Sequence, residues 1–231
     1  MKTYLMEYDM KISENTLNVL KNFSTINQSI LIRKGNVVRT ISPQSNILAK
    51  ANVSENFDNE FALYELNRFL SVVTSLDDPN LDFEDDAVKI SGGRSKTRYK
   101  FADQSLIKVA PDKDINLGEP DEIFTLTQAS YSKVLKLAGV LDLPNVAAVG
   151  DGESVNLVAF DIRNDGGDEF SESVGETSNS FKMIFNVENF RLMSGDYTVK
   201  IYADKNAAQF INESKGVEYI IAVEAGSTFE K

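Results

Sequence analysis

Apolar residues recur at helical spacing in four short stretches of this chain and alternate with polar ones through most of the remainder. In Asn15–Phe23, Leu17, Leu20 and Phe23 fall on one side, and Asn15, Asn18, Lys21 and Asn22 on the other. Ser13 suits the N-cap, and Glu14 the positive end of the helix dipole. Further helices are predicted over 66–75, over Thr127–Gly139 and over Val187–Met193. In the third, Tyr131, Val134, Leu135 and Ala138 point inward, opposite Ser132, Lys133 and Lys136. Ser29–Val53 reads as a meander through Ile30, Ile32, Val37, Val38 and Ile47, turning at Lys34-Gly35-Asn36 and Ser42-Pro43-Gln44. Strands are also predicted at Phe61–Tyr64, Glu122–Leu126, Val146–Val149, Val155–Phe160, Phe181–Phe185, Tyr197–Tyr202 and Val217–Val223. Ser91-Gly92-Gly93 and Gly150-Asp151-Gly152 read as hairpin turns, and the tail after Glu224 as mobile.

The order helix, strands, helix, strands occurs twice. The strands follow one another too closely for helical crossovers, so the sheets are expected to be antiparallel. Helices packed on one face give an α+β fold of two similar halves. Residues 103–121 lack strong periodicity and contain Pro111, Gly118 and Pro120. The expected division is residues 1–110, a connector at 111–121, and 122–231.

The 231 residues contain neither Cys nor His. Disulfides, thiolate nucleophiles, His acid–base chemistry and ordinary zinc sites are thereby excluded. No metal or cofactor is expected. The acidic stretch Leu76–Asp86 lacks the Gly that a calcium loop of the EF-hand type needs at its sixth position: counting from Asp78, that position is Phe83. A solvated hairpin edge is the reading there. No phosphate-binding Gly-x-x-x-x-Gly-Lys-Ser/Thr loop is present. An acid-dependent enzyme would rest on a pair such as Asp82 and Glu84, which nothing places in a cleft. No apolar run reaches membrane-span length, and Glu7 and Asp9 interrupt the N-terminus too early for a signal peptide, so a cytoplasmic protein is expected.

The net charge of −11 alone disfavours nucleic acid. Its distribution does not. The four helical stretches carry Lys21, Arg68, Lys133, Lys136 and Arg191 against Glu188, a net of +4 that leaves −15 elsewhere. Two explanations stay open: a surface for polyanions, or lysines on ordinary solvated helix faces. Lys11, Arg33 and Lys34 are further candidates at strand or turn positions. Arg94, Lys96, Arg98 and Lys100, spaced two apart, fall on one face of a strand. Asp168, Glu169, Glu172 and Glu176 mark an acidic strand among Gly166, Gly167 and Gly175.

Met10-Lys11-Ile12-Ser13 leading to Leu20-Lys21-Asn22-Phe23-Ser24-Thr25-Ile26-Asn27 resembles the opening of the sliding clamps of T-even-type bacteriophages and their marine relatives. Tyr64-Glu65-Leu66-Asn67-Arg68-Phe69-Leu70, Gly195-Asp196-Tyr197 and the ending Tyr219–Thr228 share the resemblance. Met1–Asp9 precede the family's usual start, so either Met10 is the native start or the first strand is longer. The connector and 165–179 match least.

The resemblance implies two clamp domains with sheets outside and helices within. It implies a head-to-tail homotrimeric ring around double-stranded DNA, in the cytoplasm of an infected bacterium. It implies no catalysis by the clamp, an ATP-dependent loader, a tethered DNA polymerase, and late-transcription factors as further candidates. Lys21, Arg68, Lys133, Lys136 and Arg191 would face the hole. An apolar slot for a partner peptide would lie between the halves, walled by Ile41, Ile47, Val109, Pro111, Tyr197 and Val223. Arg94, Lys96, Arg98 and Lys100 would meet Asp168, Glu172 and Glu176 between subunits. The alternative is a non-enzymatic structural oligomer of a phage particle.

Overall fold

The computed structural model describes residues 9–164 and 166–230. The question of the native start falls on residues 1–8, outside the described residues. The chain divides into two units, residues 1–43 with 50–112, and 44–49 with 113–231.

The first unit runs β1 (Asp9–Met10), α1 (Glu14–Ile26), β2 (Ile30–Ile32), β3 (Gly35–Ile41), β4 (Ile47–Phe57), β5 (Phe61–Leu63), α2 (Leu66–Thr74), β6 (Asn80–Phe83), β7 (Ala87–Gly92) and β8 (Ser95–Lys100). The first residues of β4 are counted with the second unit. The second unit then runs β9 (Glu122–Leu126), α3 (Gln128–Val140), β10 (Asn145–Asp151), β11 (Ser154–Phe160), β12 (Phe170–Glu176), β13 (Ser180–Asn186), a 3-10 turn (Val187–Asn189), β14 (Tyr197–Tyr202), β15 (Ala207–Asn212), β16 (Val217–Ala222) and β17 (Thr228–Glu230). One plan, strand–helix–four strands–helix–three strands, thus occurs twice, with the second helix shortened to a 3-10 turn and β17 added in the second unit. Pairing repeats it too: β1-β6-β7-β8 matches β9-β14-β15-β16, and β2-β5 matches β10-β13.

Both units bury an apolar helix face. α1 buries Val19, Leu20 and Phe23, and α2 buries Leu66, Phe69, Leu70 and Val73. The two helices pack together, and the Ser24 hydroxyl donates to Asn67 Oδ1 at 2.7 Å. In the second unit α3 buries Tyr131, Val134 and Ala138, and the Tyr131 hydroxyl donates to the Phe190 carbonyl at 2.9 Å. Burial pushes the Tyr131 hydroxyl up to about 12, so it stays a donor at any physiological pH.

Four expectations change. The stretch Val187–Met193 is a single 3-10 turn followed by extended chain, not a helix. The acidic stretch contains β6, an interior strand between β1 and β7 rather than a solvated edge. The tail forms β17, paired with β13, and Phe229 stacks on Phe181 at 5.4 Å. In α1 the inward set includes Thr16 and Val19, while Leu17 is only half-buried.

The start of α1 depends on a carboxylate brought from β4. Ser13 caps the helix, accepting from the Thr16 N–H at 3.2 Å. Glu55, 8% exposed, accepts the Ser13 N–H at 2.5 Å and the Thr16 hydroxyl. Burial alone would raise the Glu55 pKa, but hydrogen bonds from Ser13 and Thr16 outweigh it and hold the carboxyl below its ordinary 4.5. A depressed folded-state pKa contributes stability above the unfolded value, lost as pH falls through the folded one. Glu55→Gln is therefore expected to cost about 1–3 kcal/mol at neutral pH. Its deficit against the parent should shrink below the ordinary carboxyl value. Urea unfolding at neutral and acidic pH measures both, and equal neutral-pH stability would refute the role.

Candidate nucleic-acid interface

The acid-poor helix faces exist in both units. On α1, Asn15, Asn18 and Lys21 are exposed, and Lys21 has no ion pair among the described residues. On α3 the exposed set is Ala129, Ser132, Lys133, Lys136, Gly139 and Val140. Lys136 is likewise without an ion pair, whereas Lys133 is held by Glu172 of β12 at 2.7 Å. The Ser130 hydroxyl donates to the other Glu172 oxygen at 2.9 Å. The Lys133 ammonium, ahead of the Ser130 hydroxyl, holds the Glu172 carboxyl below its ordinary range. Arg68 of α2 is exposed and pairs with Glu65 at 3.1 Å. Arg191 leaves the 3-10 turn, and its Nε donates to the Glu188 carbonyl at 2.8 Å. Lys11 pairs with Asp78 at 2.5 Å, and Arg33 with Glu60 and Asp112 at 3.7 and 3.5 Å.

The basic strand keeps its expected face. Lys96, Arg98 and Lys100 alternate along β8 and are exposed, while Tyr99 turns the other way, edge-on to Phe69 at 5.4 Å. Arg94 sits in the turn before β8. Arg98 is engaged inside its own unit, by Glu84 at 2.8 Å and Asp86 at 2.5 Å. β8 ends its sheet, and β12 ends the five-stranded sheet of the second unit.

The acidic set does not share a face. Ser173 lies opposite Asn156 and Gly175 opposite Val155, so Val174 is the extra residue of a β-bulge. Opposed residues share a face. Glu172, opposite the buried Leu157, turns toward α3, whereas Glu176, opposite Ser154, lies on the other side. Asp168 precedes the strand. A spacing of four therefore does not align Glu172 with Glu176, and Arg98 and Glu172 are each already paired internally.

The partner-slot residues differ widely in access. Tyr197 is 1% exposed, its hydroxyl donating to the Met193 carbonyl at 2.7 Å, and Ile47 is also buried. Both are core residues and offer no wall to a partner. Ile41, Val109 and Val223 are half-buried, and Pro111 is exposed.

A groove that the sequence reading missed lies in the first unit. It measures about 380 Å³ and is lined by Tyr64, Arg68, Arg98, Tyr99, Lys100 and Phe101 among others. Tyr64 is 49% exposed. The signal was present in the basic alternation of β8 and an unexplained aromatic before α2, but only folding brings them together.

Among the described residues no three or more His, Cys, Asp or Glu are grouped to hold a metal, and no helix is long and apolar enough to cross a membrane.

Known proteins repeat this organisation. Residues 11–109 match the family described as DNA polymerase processivity factor, and residues 124–225 that described as gp45 sliding clamp, C terminal. The sliding clamp of Escherichia phage RB69 is 31% identical over 230 residues, covering 96% of this chain and 100% of its own. That of Vibrio phage KVP40 is 31% identical over 226 residues, covering 94% and 100%. Among solved structures, A. fulgidus PCNA with the C-terminal region of FEN-1 bound superposes with a TM-score of 0.71 at 17% identity, covering 95% of this chain and 99% of that one. PCNA from Thermococcus kodakaraensis gives 0.68 at 14%, covering 94% and 99%. At such identities these two show the fold. The phage matches give the virion-component alternative no support. With its matched segments spread over both units and near-complete coverage of the phage proteins, the chain belongs to the sliding-clamp family of DNA polymerase processivity factors.

Proposed function

We propose that copies of this chain close head to tail into a homotrimeric ring around duplex DNA and tether the replicative polymerase there, catalysing nothing themselves. The observation that carries this reading is the pair of sheet-ending strands. β8 ends a sheet of the first unit and β12 one of the second, so each copy offers two different edges. Two unlike, complementary edges build a heterologous contact, which closes into a ring when the rotation allows. Lys21 and Lys136, with Lys133 and Arg191, would attract phosphates without reading bases, as sliding requires. The acidic remainder of the chain would repel DNA from other surfaces. A polymerase tethered to such a ring rebinds before it diffuses away, because the tether fixes a high effective concentration.

An ATP-dependent loader would open the ring in the cytoplasm of the infected host. The polymerase, and late-transcription factors, would dock by a peptide on accessible apolar residues; the candidates are Ile41, Val109 and Pro111 in the first unit and Val223 in the second. The solved PCNA carrying the C-terminal region of FEN-1 supports that mode. The test is topological. Loaded clamp should stay on circular DNA at salt that releases ordinary non-specific binders, and should leave when the circle is cut. Light scattering should give three times the chain mass. Equal retention on cut and intact circles would refute encirclement.

A further inference from the structure

The internal repeat supplies a template for the free edge of β8. β7 and β15 each pair their first residue with the last residue of the following strand, Ala87 with Lys100 and Ala207 with Ala222. Lys100 and Ala222 are therefore equivalent. The next residues agree: the Phe101 N–H donates to the Asp86 carbonyl and the Val223 N–H to the Asn206 carbonyl, each at 2.9 Å. Likewise Leu63, Leu66 and Phe69 correspond to Ile184, Val187 and Phe190. That aligns Arg68, third in α2, with Asn189, third in the 3-10 turn.

In the second unit the outer edge of β16 is covered. The Ala222 N–H donates to the Asn46 carbonyl at 2.9 Å, and Asn46 Nδ2 donates to Asn189 Oδ1 at 3.0 Å. Asn46 leads directly into β4. The counterpart of β4 in the second unit is β12, and the residue that leads into β12 is Glu169. At the equivalent place in the first unit, beside Lys100 and Arg68, lies the open groove of about 380 Å³. Tyr64, Tyr99 and Phe101 supply its apolar walls and Arg68, Arg98 and Lys100 its cations; Glu65, also in the lining, pairs with Arg68, and Arg98 is held by Glu84 and Asp86. Lys100 has no ion pair among the described residues. The Lys100 N–H points away from β7, because its neighbour Phe101 makes the bond back to Asp86.

We propose that this groove receives the Asp168–Glu169 corner of a second copy of the chain. The Lys100 N–H donates to the carbonyl of that Glu169, and Arg68 donates to its carboxylate. Asn46 and Asn189 make the neutral version of this contact within one chain. The inference rests on the ring reading and names the residues that close it. It replaces the pairing of Arg98 with Glu172: Arg98 is held by two carboxylates and Glu172 by Lys133 and Ser130, whereas Arg68 has a single exposed pair, with Glu65, to exchange. Changing an amide pair into a charge-assisted one strengthens the contact and makes it selective for the next copy. Arg68 thereby serves ring closure rather than DNA.

The chain has no cysteine, so an introduced pair reports directly. Lys100→Cys with Glu169→Cys should give covalent multimers on mild oxidation, since opposed residues sit within disulfide reach. Lys100→Cys with Glu176→Cys, at the other end of β12, should not. Arg68→Glu and Glu169→Arg should each raise the dissociation midpoint about tenfold or more. Combined, they should restore it, with circular dichroism unchanged throughout. An oligomeric parent whose Lys100–Glu169 pair fails to cross-link, or whose charge reversals leave the mass unchanged, overturns the groove but leaves the ring standing. So does an Arg68→Glu variant that keeps its mass and loses DNA binding, which would assign the groove to phosphate. A parent that is monomeric at every concentration overturns the ring itself.

Discussion

Replacing Lys21 and Lys136 together by Glu is expected to release the loaded clamp from DNA at salt concentrations that the parent withstands. Both lysines are exposed on helix faces and have no ion pair among the described residues, so their charge is free to neutralise phosphate. Each phosphate neutralised adds about 0.9 to the slope of log affinity against log salt on duplex DNA. Two lost contacts per subunit, repeated around the proposed ring of three, should lower that slope by about 5. Little stability is at stake, about 0.5 kcal/mol or less for exposed positions without partners. The mass of the proposed trimer should not change, because neither residue lies on β8 or β12. Salt titration of retention on circular DNA measures the slope. An unchanged slope would refute phosphate contact by these helices, whatever happened to affinity.

Periodicity was sufficient wherever one face of an element was buried. Tyr131, Val134 and Ala138 placed α3 to within a residue at each end, and the alternation in Glu122–Leu126 and Tyr197–Tyr202 gave β9 and β14 their observed bounds. It failed where a tertiary contact overrode the local pattern. Val187 and Phe190 have helical spacing, but the Phe190 carbonyl is taken by the Tyr131 hydroxyl and the Arg191 N–H turns back to Asn189. The chain leaves the turn extended, burying both Phe190 and Leu192. In β6, acids on the solvated side hid a strand whose Leu81 is fully buried. β15 escaped notice because the turns before it and after it depend on left-handed conformations at Asn206 (φ 50°) and Gly216 (φ 60°), and its two alanines carry little apolar signal.

The candidate site was legible in its residue types and less so in its pairings. Lys133 and Lys136 were readable as exposed cations; that Glu172 reaches one of them was not. The bulge at Val174 decides which face each acid takes, and nothing in a spacing of four announces a bulge. The groove beside Lys100 joins residues more than thirty positions apart, from Tyr64 to Phe101, and emerges only when β8 lies beside α2.

Glu172→Gln is expected to strengthen DNA binding. Glu172 holds the Lys133 ammonium at 2.7 Å and so stands where a phosphate would compete. The Lys133 charge and the Ser130 hydroxyl keep the carboxyl below its ordinary range, so it is ionised at any working pH. The amide keeps the shape and the Ser130 contact but removes the internal anion. Lys133 then becomes free for phosphate, which should raise the salt slope by about 0.9 per subunit and the affinity at low salt with it. Loss of one partly exposed ion pair should cost the fold only about 0–1 kcal/mol. If Glu172 instead positions Lys133 toward DNA, the amide would weaken binding and lower the slope. The two outcomes have opposite signs, so one salt titration beside the parent decides between them. Because the carboxyl titrates below its ordinary range, the gain should be the same at about pH 6 and about pH 8. A gain that appeared only at the higher pH would assign it to another group.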